Sequence, residues 1–198
     1  MKKILCLILA VCGIAGVLVG CGSGEAGLTD LTEEDFMPYQ NGEPVKELME
    51  EKLSNTGTMY YYDFKITPEN DKGYETSRGI KLGSTYREVI EAYRDINEAG
   101  YTDYDTGKSS EKDYQELTEL IEPIENNEER VHGVGYTFVI EEGKYYNIHN
   151  EEYNKQYYEK SPTIEERGDT LRAELVFLFD ENGKVNSIDL GYDVPKEN

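Results

Sequence analysis

Residues 171–192 read LRAELVFLFDENGKVNSIDLGY. Two apolar runs flank Asp180-Glu181-Asn182-Gly183-Lys184. Asn-Gly is the strongest short-range hairpin signal, because the favoured two-residue turn needs positive φ at both central positions. The segment therefore predicts an antiparallel hairpin, Leu171–Phe179 followed by Val185–Tyr192. A two-residue loop sets Phe177 opposite Ile188 and Leu175 opposite Leu190. A four-residue loop keeps the same faces together, so the parity of the pairing is firmer than its register.

Upstream, Val134, Tyr136, Phe138 and Ile140 alternate with other residues, and Glu141-Glu142-Gly143 follows as a loop before a second apolar stretch. A three-residue loop sets Phe138 opposite Tyr146 and Tyr136 opposite Ile148, apolar against apolar; a two-residue loop would set Phe138 opposite Asn147. Register follows the buried face, which favours the former. Residues 58–67 also alternate, with Tyr60, Tyr62, Phe64 and Ile66 on one side, and read as a strand. Pro68–Gly73 reads as a turn and 74–77 as a short returning strand.

Three helices are expected. Thr85 and Glu88 fit a capping box, and Tyr86, Val89, Ile90, Tyr93 and Ile96 form one apolar stripe, giving a helix over 85–97. Pro44 opens a pattern in which Val45, Leu48, Met49 and Leu53 share a face, giving a helix over 44–54. Tyr114, Leu117, Leu120 and Ile121 mark a helix over 112–122 that Pro123 closes. Residues 98–112 and 151–169 lack periodicity and read as long connections. The fold class is thus α+β: an antiparallel sheet of about five or six strands, mainly hairpins, packed on two or three helices.

The first 21 residues read MKKILCLILAVCGIAGVLVGC. Lys2 and Lys3 precede an uncharged run from Ile4 to Val19, the pattern of an export signal. The run falls short of the about 20 residues that a bilayer span needs. Leu18-Val19-Gly20-Cys21 resembles the lipobox of bacterial lipoproteins. That resemblance implies a diacylglyceryl group on the Cys21 thiol and cleavage just before it, leaving Cys21 as the first residue. One acyl chain anchors weakly, with K of about 10⁴ M⁻¹, whereas two anchor stably. The organisation expected is a signal over 1–20, a lipidated Cys and flexible tether over 21–43, and a single α+β domain over 44–198.

Cys6 and Cys12 leave with the signal and Cys21 is used by the lipid, so the folded part has no thiol for a disulfide, a nucleophile or a metal. The chain of 198 residues carries 20 Lys+Arg against 41 Asp+Glu, a formal net charge of −21. Losing the signal removes Lys2 and Lys3 and makes it more negative still. Such a balance excludes nucleic acid, which needs a basic face. It also repels anionic headgroups.

Ile80-Lys-Leu-Gly-Ser-Thr-Tyr-Arg-Glu-Val-Ile-Glu-Ala-Tyr93 resembles the motif that opens small extracytoplasmic domains of the BamE/SmpA-like and β-lactamase-inhibitor-protein-like type. Leu175–Ile188 resembles the last hairpin of such lipoproteins. The likeness spans residues 76–192. It implies a two-layer α+β domain used for protein contacts, and it carries over no catalytic residue.

Chemistry is sparse. Gly107-Lys108-Ser109 has Thr102 where a phosphate loop needs its first Gly. His132 and His149, the only histidines, fall on opposite faces in the favoured register, with His149 facing Gly135, and cannot converge on a metal. No Gly-x-Ser-x-Gly elbow accompanies them. Acidic pairs such as Glu141-Glu142 and Glu151-Glu152 read as solvated surface, with weak Ca²⁺ binding the competing use. No catalytic residue, metal site or cofactor is assigned.

Tyrosine is the informative excess: 17 Tyr, 5 Phe and no Trp. Tyr61, Tyr101, Tyr104, Tyr145, Tyr157 and Tyr158 fall on non-apolar faces or in connections. They are the candidate partner-binding residues, because exposed Tyr is enriched at interfaces. The function expected is a lipoprotein anchored through Cys21 on the outer, extracytoplasmic face of a bacterial cell membrane. It would act as a non-enzymatic protein-interaction or ligand-binding module with a protein partner. Two alternatives stand beside it: a carboxylate-dependent cell-wall glycan hydrolase and an envelope assembly accessory protein.

Overall fold

A computed structural model describes residues 25–161 and 170–196. Its strands are β1 (Leu28–Thr29), β2 (Tyr39–Gln40), β3 (Glu43–Pro44), β4 (Glu50–Leu53), β5 (Met59–Ile66), β6 (Glu98–Asp103), β7 (Ser109–Asp113), β8 (Val131–Glu141), β9 (Lys144–Asn147), β10 (Arg172–Phe179) and β11 (Val185–Pro195). Its helices are α1 (Tyr86–Ala92), α2 (Tyr114–Glu119), α3 (Ile121–Glu125) and α4 (Glu151–Lys160).

The β10–β11 hairpin lies at the centre of a sheet ordered β1-β9-β8-β10-β11-β5-β4. Leu175 pairs with Leu190 and Phe177 with Ile188, as the alternation requires. β8 carries the fork of the sheet. Its first half pairs with β6 and its second half with β9, so β6–β7 and β9–β1 diverge from one edge. The class is α+β, but the sheet has nine strands rather than five or six. The additional strands are β1, β4 and the β6–β7 hairpin, short segments with few apolar residues.

The helices α1, α2 and α3 cover one face. Tyr86, Val89, Ile90, Tyr93 and Ile96 are all buried. Tyr93 stacks on Tyr136 at 5.2 Å, and the Tyr86 hydroxyl donates to the Leu117 carbonyl at 3.0 Å. Thr85 Oγ1 accepts from the Glu88 amide at 3.1 Å and Glu88 accepts from the Thr85 amide at 2.6 Å, the reciprocal cap the sequence predicts. The helix stops at Ala92 rather than near 97. There Arg78 bonds the Ala92 carbonyl at 2.8 Å and grips Asp95, placing a cation at the negative end of the helix.

Several expectations are corrected. Residues 25–43 do not form a tether. Leu31, Phe36 and Met37 are buried, and Phe36 stacks on Tyr145 at 5.3 Å. The helix expected over 44–54 is instead a 3-10 turn, Lys46–Leu48, and the edge strand β4. Of its apolar set only Met49 is buried, while Leu53 is 52% exposed, so the helical spacing served no common face. Residues 98–113 hold the β6–β7 hairpin, with Ala99 and Tyr101 facing the core. Pro123 lies in the first turn of α3, where an amide would lack an intrahelical partner anyway, and does not end the helix.

The β8–β9 register is the one the sequence disfavoured. Phe138 pairs with Asn147, and the loop is Glu142-Gly143, with φ of 52° and 76°. The apolar-against-apolar argument assumed one buried face. Here both faces are covered: Phe138 and Tyr145 meet the main core, whereas Val139 and Tyr146 meet α4. That helix occupies 151–160 of what read as a connection; 162–169 lie outside the described residues.

Candidate functional site

α4 is fastened to the outer face of the fork by its own start. Asn150 caps it, accepting from the Tyr153 amide at 3.0 Å. Asn154 donates to the Ile148 carbonyl at 2.8 Å. The chain before β1 is equally fixed, since the Asn147 amide donates to the Gly27 carbonyl at 2.7 Å. Val139, Tyr146, Tyr153 and Tyr157 then form a second small core, with Ala26 and Ile148 packed against it.

The tyrosines of this core are a ladder. Tyr146 and Tyr153 stack at 5.0 Å, Tyr153 and Tyr157 at 6.2 Å, and Tyr157 meets Tyr158 edge-on at 5.4 Å. Two of their hydroxyls end at carboxylates, Tyr146 donating to Glu25 at 2.5 Å and Tyr153 to Glu141 at 3.2 Å, while Tyr157 donates to Thr170 Oγ1 at 3.3 Å. Lys144 also donates to Glu25, at 3.1 Å. The Tyr146 and Lys144 hydrogen bonds hold the Glu25 carboxyl below the usual range. Above the ladder lies a groove of about 760 Å³, rimmed by Glu25, Glu141, Glu142, Glu152, Lys144 and Lys160. Its size suits a small organic ligand, for which pockets run about 300–1,000 Å³.

A second feature sits where β6 and β9 diverge. The His149 imidazole lies over Gly100, where a Cβ would be 3.2 Å from its Cε1. Both ring nitrogens are buried without a hydrogen-bond partner, and Nδ1 stands 3.7 Å from Glu111. Burial holds this histidine below its ordinary pKa, against the pull of Glu111 and Glu98. His149 therefore faces Gly100, not Gly135. His132 is exposed, 6.0 Å from the Tyr104 ring.

On the outer sheet face, the Tyr61 ring crosses Gly191 and its hydroxyl donates to Glu174 at 2.8 Å. Asp193 lies in the same depression of about 170 Å³; burial and the neighbouring Glu174 charge raise its carboxyl. Glu174 and Asp193 are the acids of this hollow, which is under ligand size.

The six predicted tyrosines scatter. Tyr101 and Tyr145 are in the main core, where burial pushes both hydroxyls up to about 12. Tyr157 is in the second core and Tyr61 is half-buried. Only Tyr104 and Tyr158 of the six are exposed. They do not form one surface: Tyr104 stacks under Arg130 at 4.8 Å, while Tyr158 is on α4. The groove residues Tyr146 and Tyr153 were not among the candidates. The signal for them was Tyr153 and Tyr157 four apart behind an Asn cap, a helical spacing that marks one face.

Cys21 lies outside the described residues. Among the described residues no group of three His, Cys, Asp or Glu side chains is placed to hold a metal, and no helix is long and apolar enough to cross a membrane. Comparison with protein-family models, with curated proteins and with solved structures found no match to this chain.

Proposed function

We propose that this chain is a bacterial lipoprotein, anchored through Cys21 on the extracytoplasmic face of the membrane, that works as a non-enzymatic binding module. The anchor rests on the N-terminal sequence: Lys2-Lys3, the apolar run and Leu18-Val19-Gly20-Cys21. The binding role rests on one structural observation, the groove over the stacked Tyr146 and Tyr153. It is rimmed by charges of both signs, which suits selective binding of a polar ligand or a partner's polar segment.

Mass spectrometry of the native product tests the anchor. The expected species starts at a lipid-modified Cys21, and Cys21→Ala blocks processing. An unmodified Met1 with the signal in place overturns the reading. Cross-linking on intact cells tests the module: partners recovered with the native chain are lost when Tyr153→Ala and Glu152→Lys disrupt the groove.

A further inference from the structure

We propose that the groove between β9 and α4 receives a zwitterionic lipid headgroup, one carrying an ammonium and a phosphodiester, from the membrane in which the chain is anchored. The proposal rests on the lipoprotein reading for its geometry. Glu25 already belongs to the fold, through Tyr146 and Lys144. Gly27 is pressed onto Tyr153, and Leu28 pairs with Tyr146. Only the peptide steps from Cys21 to Glu25 separate a lipidated sulfur from this body, and covalent geometry lets them span at most about 14 Å. The end of the domain that carries β1, β9 and α4 is therefore held within reach of headgroups.

The charges of the groove select among headgroups. Glu142 and Glu152 present carboxylates and Lys160 an ammonium group, while Glu25 and Lys144 pair with each other and Glu141 accepts from Tyr153. A ligand ammonium complements the Glu142 and Glu152 carboxylates and a phosphodiester complements Lys160. A headgroup with a phosphodiester and no cation leaves the Glu142 and Glu152 carboxylates facing an anionic surface, which repels them. The volume of about 760 Å³ accommodates a headgroup with its ordered water.

The test supplies the anchor chemically, so that it stands apart from the anchor's fate in the cell. The mature chain, whose only thiol is Cys21, is coupled to a maleimide lipid in two vesicle types. One is phosphatidylethanolamine with phosphatidylcholine; the other is phosphatidylglycerol. Amide exchange across Glu141–Lys144 and α4 is expected to slow about fivefold or more on the zwitterionic vesicles relative to the anionic ones. The difference disappears in a Glu142→Gln, Glu152→Gln double variant whose unfolding midpoint is unchanged. Equal exchange on both vesicles, or a difference that survives the double variant, overturns the proposal. A failure of native lipidation, read by mass spectrometry, would leave this result standing and overturn only the anchor.

Discussion

Gly27 lies so close against Tyr153 that a Cβ at position 27 would sit 2.9 Å from the tyrosine Cβ and 3.0 Å from the Asn147 carbonyl oxygen. Its φ of +72° is also one that L side chains avoid. Gly27→Ala is therefore expected to cost about 1–3 kcal/mol, from strain and from displacement of the strand-forming segment off β9. Thermal unfolding measures the loss, and faster exchange confined to β1, β9 and α4 locates it. An alanine variant as stable as the parent would mean that the segment does not dock.

Phe36→Ala tests whether the segment before residue 44 is part of the fold. Phe36 is fully buried, between Phe138 at 5.5 Å and Tyr145 at 5.3 Å. Truncating a buried Phe costs about 3–5 kcal/mol, a large share of a domain's net stability. Urea unfolding is expected to show an extrapolated unfolding free energy lowered by that amount, with the midpoint falling in proportion. A tether residue would show nothing.

The legible parts of the chain were those in which one face is buried and the other wet. α1 and the β10–β11 pair follow that rule, and their periodicity placed Val89, Phe177 and Ile188 in the core; β5 sets Ile66 there but also buries Met59 from its other face. β6 does alternate, with Ala99 and Tyr101 facing the core, but these are its only apolar residues and its hairpin partner β7 is almost entirely exposed, so the hairpin carries little hydrophobic signal. β8 and β9 are buried on both faces where α4 covers them, which removed the parity signal that register depends on. Val45, Leu48 and Met49 show the converse: a helical spacing arose by chance in a segment that makes a single 3-10 turn, with Val45 bonded to Pro38 before it and β4 paired to β5 after it. The tyrosine surface failed for a related reason. With no Trp and 5 Phe, this chain uses Tyr as its large core residue, so Tyr on an apparently polar segment is as much packing as recognition.

His149 predicts a pH dependence. Its folded pKa is lowered from 6.5, chiefly by burial, so the unfolded chain binds the proton more readily. The stability this group contributes is complete above pH 6.5 and is lost as pH falls from there toward the folded value. The acids that pull against it are Glu111 from β7 and Glu98 from β6, and Lys112 and Asp113 from β7 and Glu151 from α4 line the same hollow. Unfolding midpoints measured from pH 7.5 to 5 are expected to fall, and His149→Asn to flatten that fall. The β6–β7 hairpin should exchange faster at the acidic end. A parallel decline in the variant would assign the effect to carboxylates elsewhere.

Glu142 offers a gain. It sits at φ 52° in the two-residue loop with Gly143 at 76°, the conformation in which Asn-Gly is the preferred pair. A residue with a long side chain loses energy in the left-handed region that Asn recovers by local hydrogen bonding. Glu142→Asn is expected to raise stability by about 0.5–1 kcal/mol and to leave the Phe138–Asn147 pairing intact. Chemical denaturation measures the gain, and cross-strand contacts between the Ile140 and Tyr145 α-protons, a pair not joined by ladder hydrogen bonds, report the register by nuclear Overhauser effects. In the alternative three-residue loop, Phe138 would instead oppose Tyr146, those contacts would shift by one residue, and Asn at 142 would bring no benefit.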